Sequence, residues 1–318
     1  MSPIIDVNNL VKQYRNADTN AVDGISFSVN TGELFALLGP NGAGKTTIIS
    51  ILTTTLSLTS GTASIAGYDL DKSASQVRRN VGIIFQKPSL DMNLTAEENV
   101  RFHAALYGIY PFRPTFRMMP KAYRDQTNNL AEILGISEDI FKPIKTFSGG
   151  MKRKLEIMRS LMHKPKVLFL DEPTVGLDPA SRRALWQYIQ QVQAESNTTV
   201  FLTTHYLDEA EDADTICIIN RGKVVNRGTP EKIKTDLLEA YMLIDADNRD
   251  QLRQELTELG IPFIETPRFK IPLEDGRTGH RRLKAIDTPL NLLQTHSPTL
   301  EEAYLSIVDE TQPKEKMF

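Results

Sequence analysis

Short apolar runs punctuate the first part of this chain, and stretches of helical periodicity separate them. Near the start the pattern alternates. Ile25-Ser26-Phe27-Ser28-Val29 repeats every second residue, which predicts a half-buried strand. Glu33-Leu34-Phe35-Ala36-Leu37-Leu38 then turns continuously apolar, as strands covered on both faces of a parallel sheet do. Val81–Phe85, Val167–Leu170 and Val200–Leu202 repeat that signal. Met151, Leu155, Met158 and Met162 share one face of a helix predicted from Met151 to Met162, and a second helix is predicted from Ser181 to Ala194. Buried strands interleaved with amphipathic helices predict an α/β fold, a mainly parallel sheet with helices on both faces.

Two stretches depart from this rhythm. Between Lys87 and Ser160 the strand signal vanishes and the pattern is mostly helical, interrupted by the Pro- and Arg-rich segment Pro111–Pro120. After Arg227-Gly228-Thr229-Pro230 the character changes again. A strand at Ala240–Ile244, a helix at Arg249–Leu259, two further strand-like runs and a last helix at Leu300–Val308 predict a small α+β C-terminal domain. The expected boundary is near Pro230, giving domains 1–230 and 231–318. No apolar run approaches the roughly 18 residues of a membrane span, and the N-terminus lacks the pattern of a signal peptide. The expectation is a chain that is soluble, or peripheral on a membrane.

Composition narrows the picture only slightly. With 40% hydrophobic and 24% charged residues the chain can bury a core. A formal net charge of -3 supplies no basic field, so no nucleic-acid partner is expected. The lone Cys217 excludes an intrachain disulfide. In Ile216-Cys217-Ile218-Ile219 it behaves as a small hydrophobe, and its solitude fits a reducing compartment.

The chemistry begins at Gly39-Pro40-Asn41-Gly42-Ala43-Gly44-Lys45-Thr46, which fits G-x-x-x-x-G-K-[ST]. The glycines let the backbone turn N–H groups toward phosphate oxygens, Lys45 brings a cation to the β- and γ-phosphates, and the Thr46 hydroxyl can bind Mg²⁺. A helix from about Lys45 adds its N-terminal dipole. The loop follows a buried-strand run and precedes the apolar stretch Thr46–Leu52, the context this motif requires.

In open α/β sheets ligands sit beyond the carboxyl ends of the strands. The four buried runs end in the phosphate loop, in Gln86, in Asp171-Glu172 and, past two threonines, in His205. Asp171 can hold Mg²⁺. Glu172 is suited to orient or deprotonate an attacking water. Gln86 and His205 can contact the metal, the water or the γ-phosphate. An adjacent acidic pair can also be a solvated surface feature, but the apolar run before it and Pro173 after it favour the metal-and-base reading. Ser148-Gly149-Gly150, before the helix at Met151, forms a second candidate phosphate cradle, with Lys152, Arg153 and Lys154 in its first turn. A plain Ser-Gly cap with solvated cations is the alternative.

Taken in order, Gly39–Thr46, Gln86, Phe147-Ser148-Gly149-Gly150-Met151, Leu170-Asp171-Glu172-Pro173, Gly176-Leu177-Asp178-Pro179 and His205 resemble the Walker A, Q-loop, signature, Walker B, D-loop and H-loop motifs of ABC-transporter nucleotide-binding domains. The resemblance covers about residues 4–230. It implies a P-loop NTPase core with an N-terminal antiparallel β subdomain and a helical subdomain at about 88–160. It implies that ATP with Mg²⁺ is bound by Tyr14, stacking on adenine, by Gly39 through Thr47, and by Asp178. It assigns metal contacts to Thr46, Gln86 and Asp171, and catalysis to Glu172, His205, Gln86 and Lys45.

The family further implies a head-to-tail pair, expected to be two copies of this chain, in which Ser148-Gly149-Gly150 of one subunit closes over ATP on the other. Closure and opening would drive separate membrane permease subunits from the cytoplasmic face. Phe147–Leu155, Thr203-Thr204-His205-Tyr206 and Ser297–Tyr304 resemble the ABC-2 exporter branch, which includes drug-resistance exporter ATPases. A soluble ABC ATPase outside transport and an importer ATPase are the alternatives. Tyr110–Pro120 is longer than usual for the branch. It combines Phe112, Arg113, Phe116 and Arg117, a mixture enriched at protein interfaces, and is either a contact with the membrane subunit or the headgroup layer, or a surface loop.

Overall fold

The computed structural model describes residues 2–85, 89–237, 240–273 and 276–310. The chain divides into two compact units, Met1–Arg227 and Gly228–Phe318. The first unit begins with strands β1 (Ile5–Lys12), β2 (Val22–Val29) and β3 (Leu34–Leu38), then helix α1 (Lys45–Leu52) and strands β4 (Ser60–Ile65) and β5 (Tyr68–Asp69). It continues through α2 (Ala74–Asn80), β6 (Val81–Ile84), α3 (Ala96–Leu106), α4 (Lys121–Ile133), α5 (Gly149–Leu161) and β7 (Val167–Asp171). Helix α6 (Pro179–Ser196), β8 (Thr199–Thr203), α7 (Leu207–Ala210), β9 (Thr215–Asn220) and β10 (Lys223–Gly228) complete the series.

The central sheet has the order β10-β9-β3-β8-β7-β6, and β9, β3, β8, β7 and β6 run parallel. Every residue of β3, β7 and β8 is buried. That is why these runs show no alternation: both faces are covered. Register aligns Phe35 with Phe201 and Phe201 with Phe169 across three strands. Their ring centroids lie 5.1 and 5.2 Å apart, and Phe27 stacks on Phe35 at 5.3 Å. Phe27 belongs to an antiparallel sheet, β2-β1-β4-β5. Half of that sheet comes from after α1, so the antiparallel layer is assembled from both sides of the phosphate loop. The same register puts Leu37 level with Thr203, and Thr203 level with Asp171. Loops leaving these strands therefore emerge at one edge of the sheet.

The stretch without strands folds as α3, α4 and α5 with short 3-10 turns at Phe116–Met118 and Ile144–Thr146. Helix α3 opens with a capping box. The Thr95 side chain accepts from Glu98 N, and the Glu98 carboxylate accepts from Thr95 N. The Tyr110–Pro120 segment is tied down. Arg101 Nη1 donates to the Arg113 carbonyl at 2.7 Å, Phe112 stacks on Phe102 at 5.3 Å, and Phe116 meets Tyr123 and Phe141 edge-on. Phe112 and Met118 remain exposed.

The second unit contains α8 (Pro230–Leu237), β11 (Ala240–Ala246), α9 (Arg249–Glu258), β12 (Ile264–Thr266), β13 (Arg268–Leu273), α10 (Gly276–Lys284), β14 (Leu290–His296) and α11 (Leu300–Glu310). Its sheet, β12-β13-β11-β14, is antiparallel, and β11 through β14 trace a β-α-β-β-α-β path, the split βαβ arrangement. Met242, Ile244, Phe269 and Ile271 from the sheet pack with Leu252 and Leu256 of α9. Helix α10 escaped the sequence reading because Gly276–Lys284 is almost wholly polar. Helix α8 escaped it because Arg227-Gly228-Thr229-Pro230, which leads into it, reads as a domain boundary.

Candidate functional site

The phosphate loop spans the gap between β3 and α1. Gly42 and Gly44 have φ of +81° and +108°, a left-handed backbone that favours glycine. A Cβ on Gly39 would come 2.4 Å from the Ile219 carbonyl, and one on Gly44 would come 2.6 Å from the Ala21 carbonyl. The glycines are thus fixed by neighbouring backbone as well as by torsion. Pro40 and Asn41 carry the loop outward, and the Ala43 carbonyl accepts from Gly222 N at 3.0 Å. Lys45 is buried, and its Nζ donates to the Gly39 and Pro40 carbonyls at 2.6 and 3.1 Å. Burial lowers the Lys45 pKa, while Glu172 and Asp171 oppose that shift. The ammonium therefore sits in its own phosphate loop, electrostatically coupled to both acidic residues.

Asp171 ends β7 and is 3% exposed. Thr203 Oγ1 donates to its Oδ1 at 2.6 Å, and the Thr46 hydroxyl also hydrogen-bonds to its carboxylate. Burial raises the Asp171 pKa, and the Thr203 bond opposes it. Thr46 and Asp171 so bring two hard oxygen donors together beside the phosphate loop, a donor set that fits Mg²⁺.

Glu172 follows with φ of 46°, unusual for a residue with a side chain. Its N–H is held by the Thr203 carbonyl at 3.0 Å. Its Oε1 lies 3.6 Å from His205 Nδ1. A buried clasp fixes the approach to His205. Glu209 accepts hydrogen bonds from Thr204 Oγ1, at 2.6 Å, and from Thr174 Oγ1. The sequence places Thr203 and Thr204 only as the lead-in to His205 and gives them no role, and it offers no sign of Glu209. The two threonines between the buried run and His205 were the available signal.

Tyr14 is exposed, and its hydroxyl lies 3.3 Å from Thr47 Oγ1 at the start of α1. It therefore stands beside the phosphate loop, although 33 residues separate the two positions. Ser148 and Gly149 are exposed. Ser148 is the N-cap of α5, and its Oγ accepts from Met151 N at 3.3 Å. The helix begins at Gly149 rather than at Met151, so the two glycines form its first turn. Asp178 caps α6, accepting from Ala180 N, Ser181 N and Ser181 Oγ. Gly150 faces Ser181 and Leu177, which brings the Ser148-Gly149-Gly150 turn against the segment holding Asp178. Gln86 lies outside the described residues.

Arg153 departs from expectation. It does not face a ligand from the first turn of α5. It is 5% exposed and points inward, paired with Glu156 at 3.0 Å. The guanidinium tolerates this desolvation because it finds carbonyl acceptors there. Of the three cations expected to line the cradle, Lys152 and Lys154 are partly exposed.

A glycine-braced loop at a helix N-terminus, a buried lysine and an acidic pair at the adjoining strand ends define a P-loop nucleotide-binding ATPase. Residues 22–175 match the family described as ABC transporter. The chain is 39% identical over 327 residues to the linearmycin resistance ATP-binding protein LnrL of Bacillus subtilis (strain 168), covering 97% of this chain and 99% of that one. It therefore belongs to the ATP-binding subunit family of ABC transporters. It is also 38% identical over 231 residues to the probable multidrug ABC transporter ATP-binding protein YbhF of Escherichia coli (strain K12), covering 73% of this chain but only 38% of YbhF. A solved structure of the ATP binding subunit of an ABC transporter superposes with a TM-score of 0.64 at 30% identity, covering 73% of this chain and 92% of that one.

Proposed function

We propose that this chain is the ATP-hydrolysing subunit of an ABC exporter. One observation carries the reading: the Glu172 carboxylate stands 3.6 Å from His205, next to an Asp171 carboxylate that meets Thr46 beside Lys45. Positioning and charge neutralisation are what phosphoryl transfer demands of a protein. In this reading Tyr14 stacks on adenine, Gly39 to Thr47 hold the phosphates, and Lys45 neutralises their charge. Thr46, Gln86 and Asp171 are the residues that would hold Mg²⁺. When bound, the ion supplies positive charge to the β- and γ-phosphate oxygens.

Glu172 takes the proton from a water whose oxygen bonds to the γ-phosphorus. The bond from that phosphorus to the β–γ bridging oxygen breaks, leaving ADP and phosphate. His205 and Gln86 orient the reacting groups. The exposed Ser148 and Gly149 at the N-terminus of α5 support a head-to-tail pair, in which this turn binds the γ-phosphate held by the other subunit and Asp178 lies at the junction. Residues 1–230 form the ATPase domain and 231–318 an accessory domain. Among the described residues no helix is long and apolar enough to cross a membrane. In this reading the subunit works on separate membrane permease subunits, from the cytoplasmic face. The resistance and multidrug descriptions of LnrL and YbhF support export over import.

The test is ATP hydrolysis and ATP-dependent dimerisation of wild type and Glu172→Gln. The variant is expected to bind ATP and to accumulate as an ATP-bound dimer, with hydrolysis reduced by about 100-fold or more, as loss of a general base gives. Undiminished hydrolysis by the variant would remove Glu172 from this role.

A further inference from the structure

Helix α5 does more than present Ser148. Its buried Arg153 reaches into the turn that carries Glu172. Arg153 Nε donates to the Pro173 carbonyl at 2.8 Å, and Nη2 faces the Asp171 and Glu172 carbonyls at 3.4 and 3.5 Å. Nη1 donates to the Phe85 carbonyl at 2.5 Å and to Glu156 Oε2 at 3.0 Å. Three consecutive carbonyls of one turn thus converge on one guanidinium, and the middle residue of that turn is the one with φ of 46°. A non-glycine residue in the left-handed region persists only where its surroundings hold it there. Lysine lacks the planar fork that can serve four carbonyls at once.

The far end of the contact is equally defined. Arg153 lies five residues beyond Ser148, about 7.5 Å along a helix, so the two move as parts of one rod. Glu156 extends the hold, with Oε1 accepting from Ser89 N at 2.9 Å, while Nη1 of Arg153 holds Phe85.

We propose that Arg153 is a positioning residue: it fixes the backbone of Glu172 and, through α5, links that carboxylate to the Ser148 turn that addresses the other subunit's nucleotide. The link joins the base of one ATP site to the phosphate cradle of the second. It rests on the ATPase reading above. A displaced cradle, as when ATP leaves the opposite site, is transmitted to Glu172 as a shift of its turn, so the two sites fire in register.

Arg153→Lys keeps the charge and removes the fork. Because a lysine could loosen the buried pair, Arg153→Met combined with Glu156→Gln serves as a second variant that leaves no unpaired buried charge. Steady-state hydrolysis of MgATP by the full chain is measured with each, alone and on the Glu172→Gln background. The expected result is a kcat lowered by about 10- to 100-fold with KM for ATP unchanged, the effect of a base displaced by a fraction of an ångström to an ångström. On the Glu172→Gln background neither variant is expected to lower the residual rate further, because residues acting as one unit are not additive. Losses that simply add to that of Glu172→Gln, or a rise in KM with kcat intact, would overturn the assignment. A wild-type protein without ATPase activity would instead overturn the reading of the whole site.

Discussion

Glu172 and Tyr14 illustrate how differently single residues reach the site. Glu172 sits where its chain position puts it, one step past a buried strand, but its usable geometry depends on the Thr203 carbonyl and on Arg153. Tyr14 comes from β-rich sequence with no motif of its own, and it reaches the loop only through the tertiary contact with Thr47. In the proposed role, Tyr14 stacks on adenine, and such an aromatic contributes about 1–3 kcal/mol. Tyr14→Ala is therefore expected to weaken ATP binding by about tenfold or more in a nucleotide titration, with the rate at saturating ATP preserved. Gly39, Lys45, Thr46, Asp171, Glu172 and His205 can be proposed from sequence because the signal is local: a fixed spacing or a strand end. Arg153 cannot. Its identity predicts a solvated cation, and only the packing of α5 against the Glu172 turn turns it inward.

At the scale of elements, the continuous apolar runs translate directly into β3, β7 and β8, and the helical stripe of Met151, Leu155 and Met158 into α5. Phe201 is the hub of the central layer, in ring contact with Phe27, Phe35 and Phe169. Phe201→Ala is expected to cost about 3–5 kcal/mol, read from the denaturant midpoint, because three aromatic neighbours on separate strands cannot collapse into the space. Elsewhere α3 and α5 bury a different kind of contact. The His103 ring lies 4.3 Å from Tyr107 and 5.9 Å from His163, with Arg159 nearby. Burial, with the charges of Arg159 and His163, pushes the His103 pKa down from 6.5 to about 3. Burial lowers that of His163 too. The unfolded chain thus takes up protons that the folded chain refuses, so stability is lost as pH falls from about 6.5 toward about 3. The thermal midpoint is expected to drop between about pH 7 and about pH 5, and to drop less in His103→Leu.

For the whole molecule, the question is which parts stand alone. The core built from β1, β2, β3, α1 and their neighbours closes entirely within Met1–Arg227. Residues 1–227 expressed alone are expected to unfold cooperatively and to bind ATP. Loss of nucleotide binding in that fragment would assign the second unit a part in the site. The proposed head-to-tail pair makes a separate demand. Gly149 is exposed at the cradle, and a Cβ added there would meet only open space. Gly149→Asp is therefore expected to fold and to bind ATP normally, while the added negative charge repels the second subunit's γ-phosphate. Hydrolysis and ATP-dependent dimerisation, followed by light scattering, should both be lost.

The sequence by itself predicted the buried strands β3, β6, β7 and β8 and most helices, and it suggested the chemistry proposed for the site, because each depends on residues close together in the chain. Periodicity, a glycine spacing and the polar residue closing a strand are all local. What only the tertiary structure decided is strand order and what it brings together. Strand β3 pairs with β8 and β9, both from more than 150 residues later, and that pairing sets Thr203 against Asp171 and aligns the ends from which Lys45, Glu172 and His205 emerge. The same holds for the inward turn of Arg153, the neighbourhood of Tyr14 and the β-α-β-β-α-β path of the second unit. These depend on which surfaces bury one another, a property of the whole chain that no short window of sequence contains.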